Sequence, residues 1–267
     1  MNFWCDAGVN LFSAQFDSDR AEVLLSASQA GVNRLLLIGS DITESQRNLT
    51  LCQPNPHYKT TAGVHPHQAA ATASDWVTQL NVLLAMPEVA AVGECGLDFN
   101  RDFSPRPIQQ QVFAEQLQLA KQWQKPVYLH ERDAFDTQLA MLKEQQISQG
   151  IAHCFTGDRA QLQAYLDLGL YIGITGWVCD ERRGQALQQA IAYIPSDRLL
   201  LETDAPYLLP RNISPKPQSR RNEPALLPAI AAKVAELRGC SISELASACW
   251  RNSTTLFGYT DSPGMQE

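Results

Sequence analysis

Six ionisable side chains lie at the ends of apolar runs in this sequence, where they could act together. They are Asp6, His65, Glu94, His130, His153 and Asp204. Imidazole nitrogens and carboxylate oxygens are the usual protein ligands of divalent metal ions. Glu94 is the strongest candidate, because a carboxylate directly after an apolar run is costly to bury without a cation or several hydrogen-bond donors. The pattern predicts a divalent-metal site, provided that the fold brings these ends together.

Several of these positions also have an ordinary structural interpretation. A single histidine at a strand end is often a hydrogen-bonded structural residue, and Asp204 before Ala-Pro can form a turn. Asp98 could cap the loop that follows it or support a ligand. Cys95 and Cys154 each follow a candidate ligand, would point the other way along a strand, and are expected to be packing residues.

The elements that must position these side chains alternate along the chain. Short apolar runs typical of buried parallel strands alternate with longer amphipathic stretches typical of helices. Eight runs are strand candidates: residues 2–7, 32–40, 58–65, 89–96, 126–130, 150–155, 170–176 and 199–206. Helix candidates include residues 18–31, with a Ser/Asp cap and a closing Gly31, and residues 106–123, with Pro107 in the first turn.

Eight strand–helix units in 267 residues match the size of a (β/α)8 TIM barrel. We therefore expect an α/β protein whose residues 1–267 form a single barrel domain, with a doubly wound open sheet as the alternative. In such a barrel the loops that follow the strands build the active-site face. The two longest of these predicted loops are residues 95–106 and 205–222.

Charge and cysteine content exclude several classes of protein. The net charge of −7 argues against a broad basic surface for long duplex nucleic acid. Seven scattered cysteines without a Cys-x-x-Cys pair favour reduced thiols over a disulfide framework or a zinc ribbon. The sequence shows neither an apolar run of membrane-spanning length nor a secretory signal, so we expect a cytoplasmic protein. We also expect a monomer. One local basic cluster is present within residues 210–224: Arg211, Lys216, Arg220 and Arg221.

Several long motifs, spread over nearly the whole chain, resemble those of a known protein family. They are TTAGVHPH (60–67), GECGLDFNR (93–101), HCFTG (153–157), GITGWVCDERRG (173–184), ETDAPYLLPR (202–211) and RRNEP (220–224). Together they closely resemble the TatD family of metal-dependent deoxyribonucleases, within the amidohydrolase-like superfamily. The GVN near the N-terminus resembles the TatD subgroup rather than its paralogues.

The resemblance implies a cytoplasmic, magnesium-dependent 3′–5′ exonuclease that hydrolyses single-stranded DNA and RNA, with a part in repair of oxidative DNA damage. Carried over onto matching positions, Glu94, His130 and His153 correspond to metal ligands. Asp204 corresponds to the acid that binds metal or takes the attacking water's proton, and His65 to the histidine that faces the scissile phosphate. Asp204, Glu94 and His65 are accordingly the candidate catalytic residues.

The chain departs from the family after the first strand. Most relatives carry a His-x-His pair at that point. In this chain we expect Asp6, Ala7 and Gly8 to occupy these positions, so two imidazole ligands are absent. The remaining donors are poorer in nitrogen, which favours Mg²⁺, with Mn²⁺ as a substitute, over zinc. We expect one firmly held ion at Glu94, His130 and His153, and a second ion that binds weakly.

The basic cluster and the loop aromatic residues are candidate contacts for the substrate. Arg220 and Arg221 could hold the nucleic-acid backbone by salt-sensitive contacts, or could be solvated loop charges or pair with Asp180 and Glu181. Four loop aromatic residues could stack on bases or pack within the protein: Phe99, Phe103, Trp177 and Tyr207.

Two other functions stay open at this point. A fold does not fix a substrate, so the same metal chemistry would also serve an amide or ester hydrolase on the same barrel. The other alternative is a weakly catalytic nucleic-acid-binding partner, whose site decayed after the His-x-His pair was lost. Retention of every other ligand type speaks against decay.

Overall fold

Eight parallel strands form one sheet in sequential order in the computed structural model, which describes residues 2–215 and 217–260. A bridge between Val9 and Ala205 brings the end of the last strand back to the first. The sheet is therefore a nearly closed barrel, and the predicted (β/α)8 architecture is confirmed. The strands are Trp4–Val9 (β1), Val32–Leu37 (β2), Tyr58–Ala62 (β3), Val89–Asp98 (β4), Val127–Arg132 (β5), Gly150–Ala152 (β6), Tyr171–Ile174 (β7) and Leu199–Leu201 (β8).

Helices alternate with the strands as the periodicity predicts. They are Arg20–Gln29 (α1), Ile42–Cys52 (α2), Trp76–Leu84 (α3), Arg106–Trp123 (α4), Phe135–Glu144 (α5), Arg159–Asp167 (α6), Gln185–Ala190 (α7), Leu227–Arg238 (α8) and Ile242–Phe257 (α9). The bounds of α4 match the predicted helix, with Pro107 in its first turn. The Asp19 side chain precedes α1 but makes no capping hydrogen bond, so that part of the predicted cap is wrong. None of the helices in the described part of the chain is long and apolar enough to cross a membrane.

Two buried apolar layers hold the barrel rigid. The larger lies between strands and helices and includes Val92 and Leu129 of the sheet with Phe113 and Leu117 of α4. The smaller joins residues of neighbouring strands to the C-terminal segment: Cys5, Ala7, Leu36, Ile38, Ala90, Ala91, Tyr128, Ile151, Tyr171, Leu200, Phe257 and Tyr259. Because both layers are closely packed, the strand ends present their side chains at fixed positions.

The first strand runs further than the sequence predicts. β1 continues to Val9, and Asp6 is fully buried within it rather than at its end. The Asp6 carboxylate accepts hydrogen bonds from the Thr203 backbone N–H at 2.8 Å and from the Thr203 hydroxyl. Burial raises the pKa of Asp6 to about 7. Asp6 therefore joins β1 to the segment after β8, and the expectation that it belongs to the metal site is wrong.

Of the two loops predicted to be the longest, the one after β8 is long, whereas the one after β4 is shorter than the loops after β1, β3 and β7. β4 extends to Asp98, so the first loop covers residues 99–105 rather than 95–106. The second begins directly after Leu201 and continues to the helical turn that starts at Pro224.

Candidate metal centre

The predicted site residues meet at the carboxyl end of the barrel, around one oxygen atom of Glu94. Glu94 Oε1 lies 2.9 Å from His130 Nδ1, 3.5 Å from His65 Nε2 and 3.9 Å from His153 Nε2. Asp204 Oδ1 lies 3.9 Å from His153 Nε2 on the far side. Glu94 and His130 belong to β4 and β5, whereas the others follow β3, β6 and β8. Parallel strands thus bring together side chains that are up to 139 positions apart, from residue 65 to residue 204.

Glu94 carries the negative charge of this cluster. Its side chain is buried, and burial alone would raise its pKa. The imidazoles of His65, His130 and His153 outweigh burial, and the pKa of Glu94 falls well below its usual range. A buried carboxylate that stays ionised among imidazoles is suited to bind a cation.

His153 is oriented by a buried hydrogen-bond network. Its Nδ1 lies 2.6 Å from Glu202 Oε2 and 2.7 Å from the Tyr128 hydroxyl, which also donates to Glu202 at 2.6 Å. The Nε2 atom is thereby directed at Glu94 and Asp204. A carboxylate behind a metal-ligating histidine is the usual arrangement, because it fixes the ring and its tautomer. Burial opposes protonation of His153, but the Glu202 carboxylate outweighs it and raises the pKa to about 10.

A second pair of ionisable residues lies beside His130. Asp98 Oδ2 is 2.6 Å from His67 Nε2 and 3.4 Å from His130 Nε2, while Asp98 Oδ1 accepts hydrogen bonds from the backbone of Asn100 and Arg101. Asp98 therefore both caps its loop and supports the site. Burial lowers the pKa of His130, but Asp98 and Glu94 outweigh it and raise the pKa to about 9.

His65 is held as a neutral imidazole. Its Nδ1 accepts a hydrogen bond from the His67 backbone N–H at 3.0 Å, so a neutral ring carries its proton on Nε2. Burial lowers the pKa of His65 to about 3 and outweighs the attraction of Glu94. His65 therefore offers an N–H group on the side that faces Glu94.

Asp204 projects into the centre from a constrained backbone. Its φ of 52° is left-handed, as is the 46° of Cys154, and such conformations cluster at functional sites. Asp204 Oδ1 accepts a hydrogen bond from Asn10 Nδ2 at 2.9 Å, and the Asp204 N–H donates to Gly8 O. Burial raises the pKa of Asp204 to about 7, against the opposing effect of His153.

The end of β1 shows what replaces a His-x-His pair in this chain. The strand ends at Val9, so the polar residue that follows it and contacts Asp204 is Asn10. The prediction that the strand ends at Asp6, followed by Ala7 and Gly8, is therefore wrong. A Cβ atom at Gly8 would lie 2.2 Å from the Tyr128 hydroxyl and 2.5 Å from Glu202 Oε2. Tyr128 and Glu202 therefore occupy the space that a side chain at position 8 would need.

The sequence interpretation missed four residues of this site: Asn10, His67, Tyr128 and Glu202. Glu202 had a usable signal, because it follows an apolar strand directly, as Glu94 nearly does. Tyr128 lies within the apolar run of β5 and gave no such signal. Cys154 was wrongly expected to pack away from the site, since its Sγ lies within 4.8 Å of ligand atoms of His153 and Asp204. Cys95 is a buried core residue, as predicted.

The basic cluster pairs differently from the prediction. Arg221 binds Asp19 at 2.6 Å and Glu223 at 2.7 Å, which fastens the loop to the start of α1. The cations that bind Asp180 and Glu181 are Arg183, Arg211 and Lys233, so the predicted pairing with Arg220 and Arg221 is wrong. Arg220 is exposed, and Lys216 lies outside the described residues.

The residues present fit a divalent cation. His65, Glu94 and His130 each offer a ligand atom within 4.8 Å of the other two, and His153 and Asp204 adjoin them. Within the described residues, the buried His130 Nε2 makes no well-formed hydrogen bond, although Asp98 Oδ2 lies 3.4 Å from it. Raised histidine pKa values indicate that protons neutralise the carboxylates here, and a metal ion would take over that role.

A family model for TatD-related DNases matches residues 5–258. The chain belongs to this family. It is 51% identical to the 3′-5′ ssDNA/RNA exonuclease TatD of Citrobacter rodentium over 257 residues, 96% of this chain and 98% of that protein. It is 50% identical to the protein of the same name from Salmonella typhimurium, over 94% of this chain and 98% of the relative.

Solved structures of TatD-family proteins share the fold. The crystal structure of YJJV, a TatD homologue from Escherichia coli K12, matches with a TM-score of 0.88 and 30% identity, covering 96% of this chain and 98% of that one. The predicted family and barrel are therefore both confirmed.

Proposed function

We propose that this TatD-family protein is a metal-dependent exonuclease that removes nucleotides from the 3′ ends of single-stranded DNA and RNA. Relatives about half identical over nearly the full length carry that activity in their names. The observation that carries the proposal is the convergence of His65, His130 and His153 on Glu94 Oε1. Such a centre is suited to the cation that phosphodiester hydrolysis needs.

Glu94, His130 and His153 are the proposed metal ligands, with Asp204 beside them. We propose Mg²⁺, with Mn²⁺ as a substitute, because the two carboxylates and a substrate phosphate would supply the oxygen ligands that it prefers. The three imidazoles also suit softer ions, so exchange of the metal is part of the test below. When bound, the ion supplies Lewis acidity, which polarises a phosphoryl oxygen and acidifies a water molecule.

The protein side chains would then position the substrate and move protons. Asp204, held by Asn10, is the proposed acceptor of the attacking water's proton. His65 offers Nε2–H to the scissile phosphate or to the leaving 3′ oxygen, since its Nδ1 is occupied by the His67 backbone. Exposed Arg220 is the proposed contact for the phosphate backbone, whereas Arg221 is committed to Asp19 and Glu223.

A reducing, cytoplasmic environment suits this chain, because all seven cysteines are free thiols. We propose that it works there as a monomer with one barrel domain. Repair of oxidative DNA damage stays a prediction from the family resemblance.

Substrate class and polarity test the proposal directly. Purified protein would be given 5′-labelled and 3′-labelled single-stranded oligonucleotides and, separately, cyclic amides and aminoacyl esters. The proposal expects a 5′-labelled ladder that shortens stepwise, and early release of the 3′ label as mononucleotide. Turnover of an amide or ester alone would favour the carbonyl hydrolase, and binding without cleavage would favour the nucleic-acid-binding partner. A Glu94→Gln variant, which keeps the side-chain volume, controls for contaminating nucleases.

A further inference from the structure

Phe103 is an exposed aromatic residue at the mouth of the barrel. It lies in the loop between β4 and α4, and 68% of its surface is open to solvent. Phe99, in the same loop, and Trp177, in the loop after β7, are different: the guanidinium groups of Arg106 and Arg183 cover their faces at 4.6 Å and 4.5 Å. Of the four loop aromatics, Phe103 and Tyr207, which is 53% exposed, therefore have ring surface to offer a ligand.

A row of rings connects Phe103 with the candidate metal centre. The Phe103 ring meets the His67 ring edge-on, with centroids 4.7 Å apart. His67 lies 4.2 Å from His65, and His65 lies 4.4 Å from His130, again ring to ring. A molecule that reaches the metal centre across this side of the mouth must therefore pass Phe103.

The loop that carries Phe103 is firmly anchored. The buried Ser104 hydroxyl accepts from the Ala70 N–H at 3.0 Å and donates to the His67 carbonyl at 3.1 Å. Gln109 Nε2 donates to the Ser104 carbonyl at 2.8 Å, and Arg106 pairs with Asp102 at 2.8 Å. An apolar ring on an anchored loop loses little conformational freedom when a ligand binds, which favours affinity.

We propose that Phe103 is a stacking position for a nucleobase of the single strand whose 3′ end lies at the centre. This inference rests on the exonuclease function proposed above. Stacking accepts every base, since each has a flat face, but a base within a duplex already has both faces covered. Phe103 would thus contribute to selection of single-stranded ends. Phe103 is flanked in sequence by the charged residues Arg101, Asp102 and Arg106. The surface around it is therefore a single aromatic ring among charges, and not the broad apolar patch that is typical of a protein interface.

The test combines a variant with substrates that lack one base. Initial rates would be measured for wild type, Phe103→Ala and Phe103→Trp on oligonucleotides with an abasic residue at each of the last four 3′ positions. Tyr193→Ala is the control, because Tyr193 is also exposed, at 52%, but lies between α7 and β8 and has the Arg159 guanidinium over its ring at 3.7 Å. For Phe103→Ala on intact substrate we expect a roughly 5- to 100-fold higher KM and little change in kcat. Phe103→Trp should restore the KM.

The abasic series separates stacking from a structural effect. In wild type, one abasic position should raise the KM about as much as Phe103→Ala does, and in the variant that position should no longer matter. A wild-type KM for Phe103→Ala would overturn the proposal, as would equal losses on intact and abasic substrates. If wild type does not cleave single strands at all, the exonuclease function fails together with this inference. If wild type cleaves and only the Phe103 effects are missing, the inference alone fails.

Discussion

At the scale of single residues, Glu94 Oε1 is the atom on which the site depends. Three imidazole nitrogens lie within 3.9 Å of it, and a buried hydrogen-bond network behind His153 fixes the orientation of that ring. Glu94 and Glu202 therefore have different tasks. Glu94 faces the space where substrate and metal would meet, whereas Glu202 is fully buried and acts through His153.

Asp204→Asn separates proton transfer from metal binding. The variant keeps an oxygen that can accept from Asn10, but it cannot take a proton from water. We expect kcat to fall about 10²- to 10⁴-fold, with a much smaller change in metal affinity. Steady-state rates and calorimetric Mn²⁺ titration would be measured on the same preparation. Equal losses in both would reassign Asp204 as a ligand.

Glu202→Gln tests the orientation of His153. A glutamine nitrogen placed at the Oε2 position would donate to His153 Nδ1, which would leave the proton on Nε2, the atom that faces the centre. We expect metal affinity to fall about 10- to 100-fold. Tyr128→Phe is the control, since it removes one hydroxyl and keeps the carboxylate behind the ring. Unchanged Mn²⁺ affinity in Glu202→Gln would contradict the positioning role.

At the scale of elements, the junction between β1 and the end of β8 closes the barrel beside the site. Asp6 and Thr203 hold it from within, and Asn10 and Asp204 hold it at the rim. The junction therefore links barrel closure to the position of a candidate catalytic residue.

Asp6→Asn should remove a pH dependence of folding. The pKa of Asp6 is about 7 in the folded chain against 3.8 as its ordinary value, so the folded state binds more protons between these pH values. Wild-type stability relative to the variant should therefore be greatest near pH 4 and decline by up to about 4 kcal/mol as the pH rises through 7. Denaturant unfolding of EDTA-treated protein at several pH values measures this difference. A constant difference across the range would show that Asp6 is ionised in the fold.

The loop after β8 contains two adjacent arginines with different expected roles. Removal of Arg220 should reduce the slope of log affinity against log salt for single-stranded DNA by about 0.7. Removal of Arg221 should leave that slope nearly unchanged and cost at most about 1 kcal/mol of stability, because its ion pairs with Asp19 and Glu223 are partly exposed. Anisotropy titrations at several salt concentrations distinguish the two variants. Equal slopes for wild type and Arg220→Ala would exclude the phosphate contact.

Sequence patterns predicted the strands and helices better than the site's internal contacts. Runs rich in apolar and β-branched residues located all eight strands, because strands buried on both faces are rich in such residues. The end of β1 was misplaced, because Asp6 is a buried acid that its partner Thr203 accommodates, and no local pattern reveals a partner 197 positions away. Tyr128 and Asn10 were missed for the same reason. Their roles arise from neighbours on other strands.

At the scale of the whole molecule, the barrel brings one compact negative centre and a few cations to a single face of an acidic protein. The net charge of the chain is −7, and two arginines of the loop after β8, Arg211 and Arg221, are paired with carboxylates. This balance suits an enzyme that takes strand ends rather than long duplexes.

Metal add-back to EDTA-stripped protein tests the central claim, that one ion held at Glu94 enables 3′–5′ cleavage. Cleavage of a 5′-labelled single strand would be measured with Mg²⁺, Mn²⁺ or Zn²⁺ added back, together with the number of Mn²⁺ ions bound per chain. The expected result is a stepwise 3′ ladder with Mg²⁺ and one tightly bound Mn²⁺, with both lost in Glu94→Ala. Two tightly bound ions without substrate, or a ladder that persists in Glu94→Ala, would contradict the account.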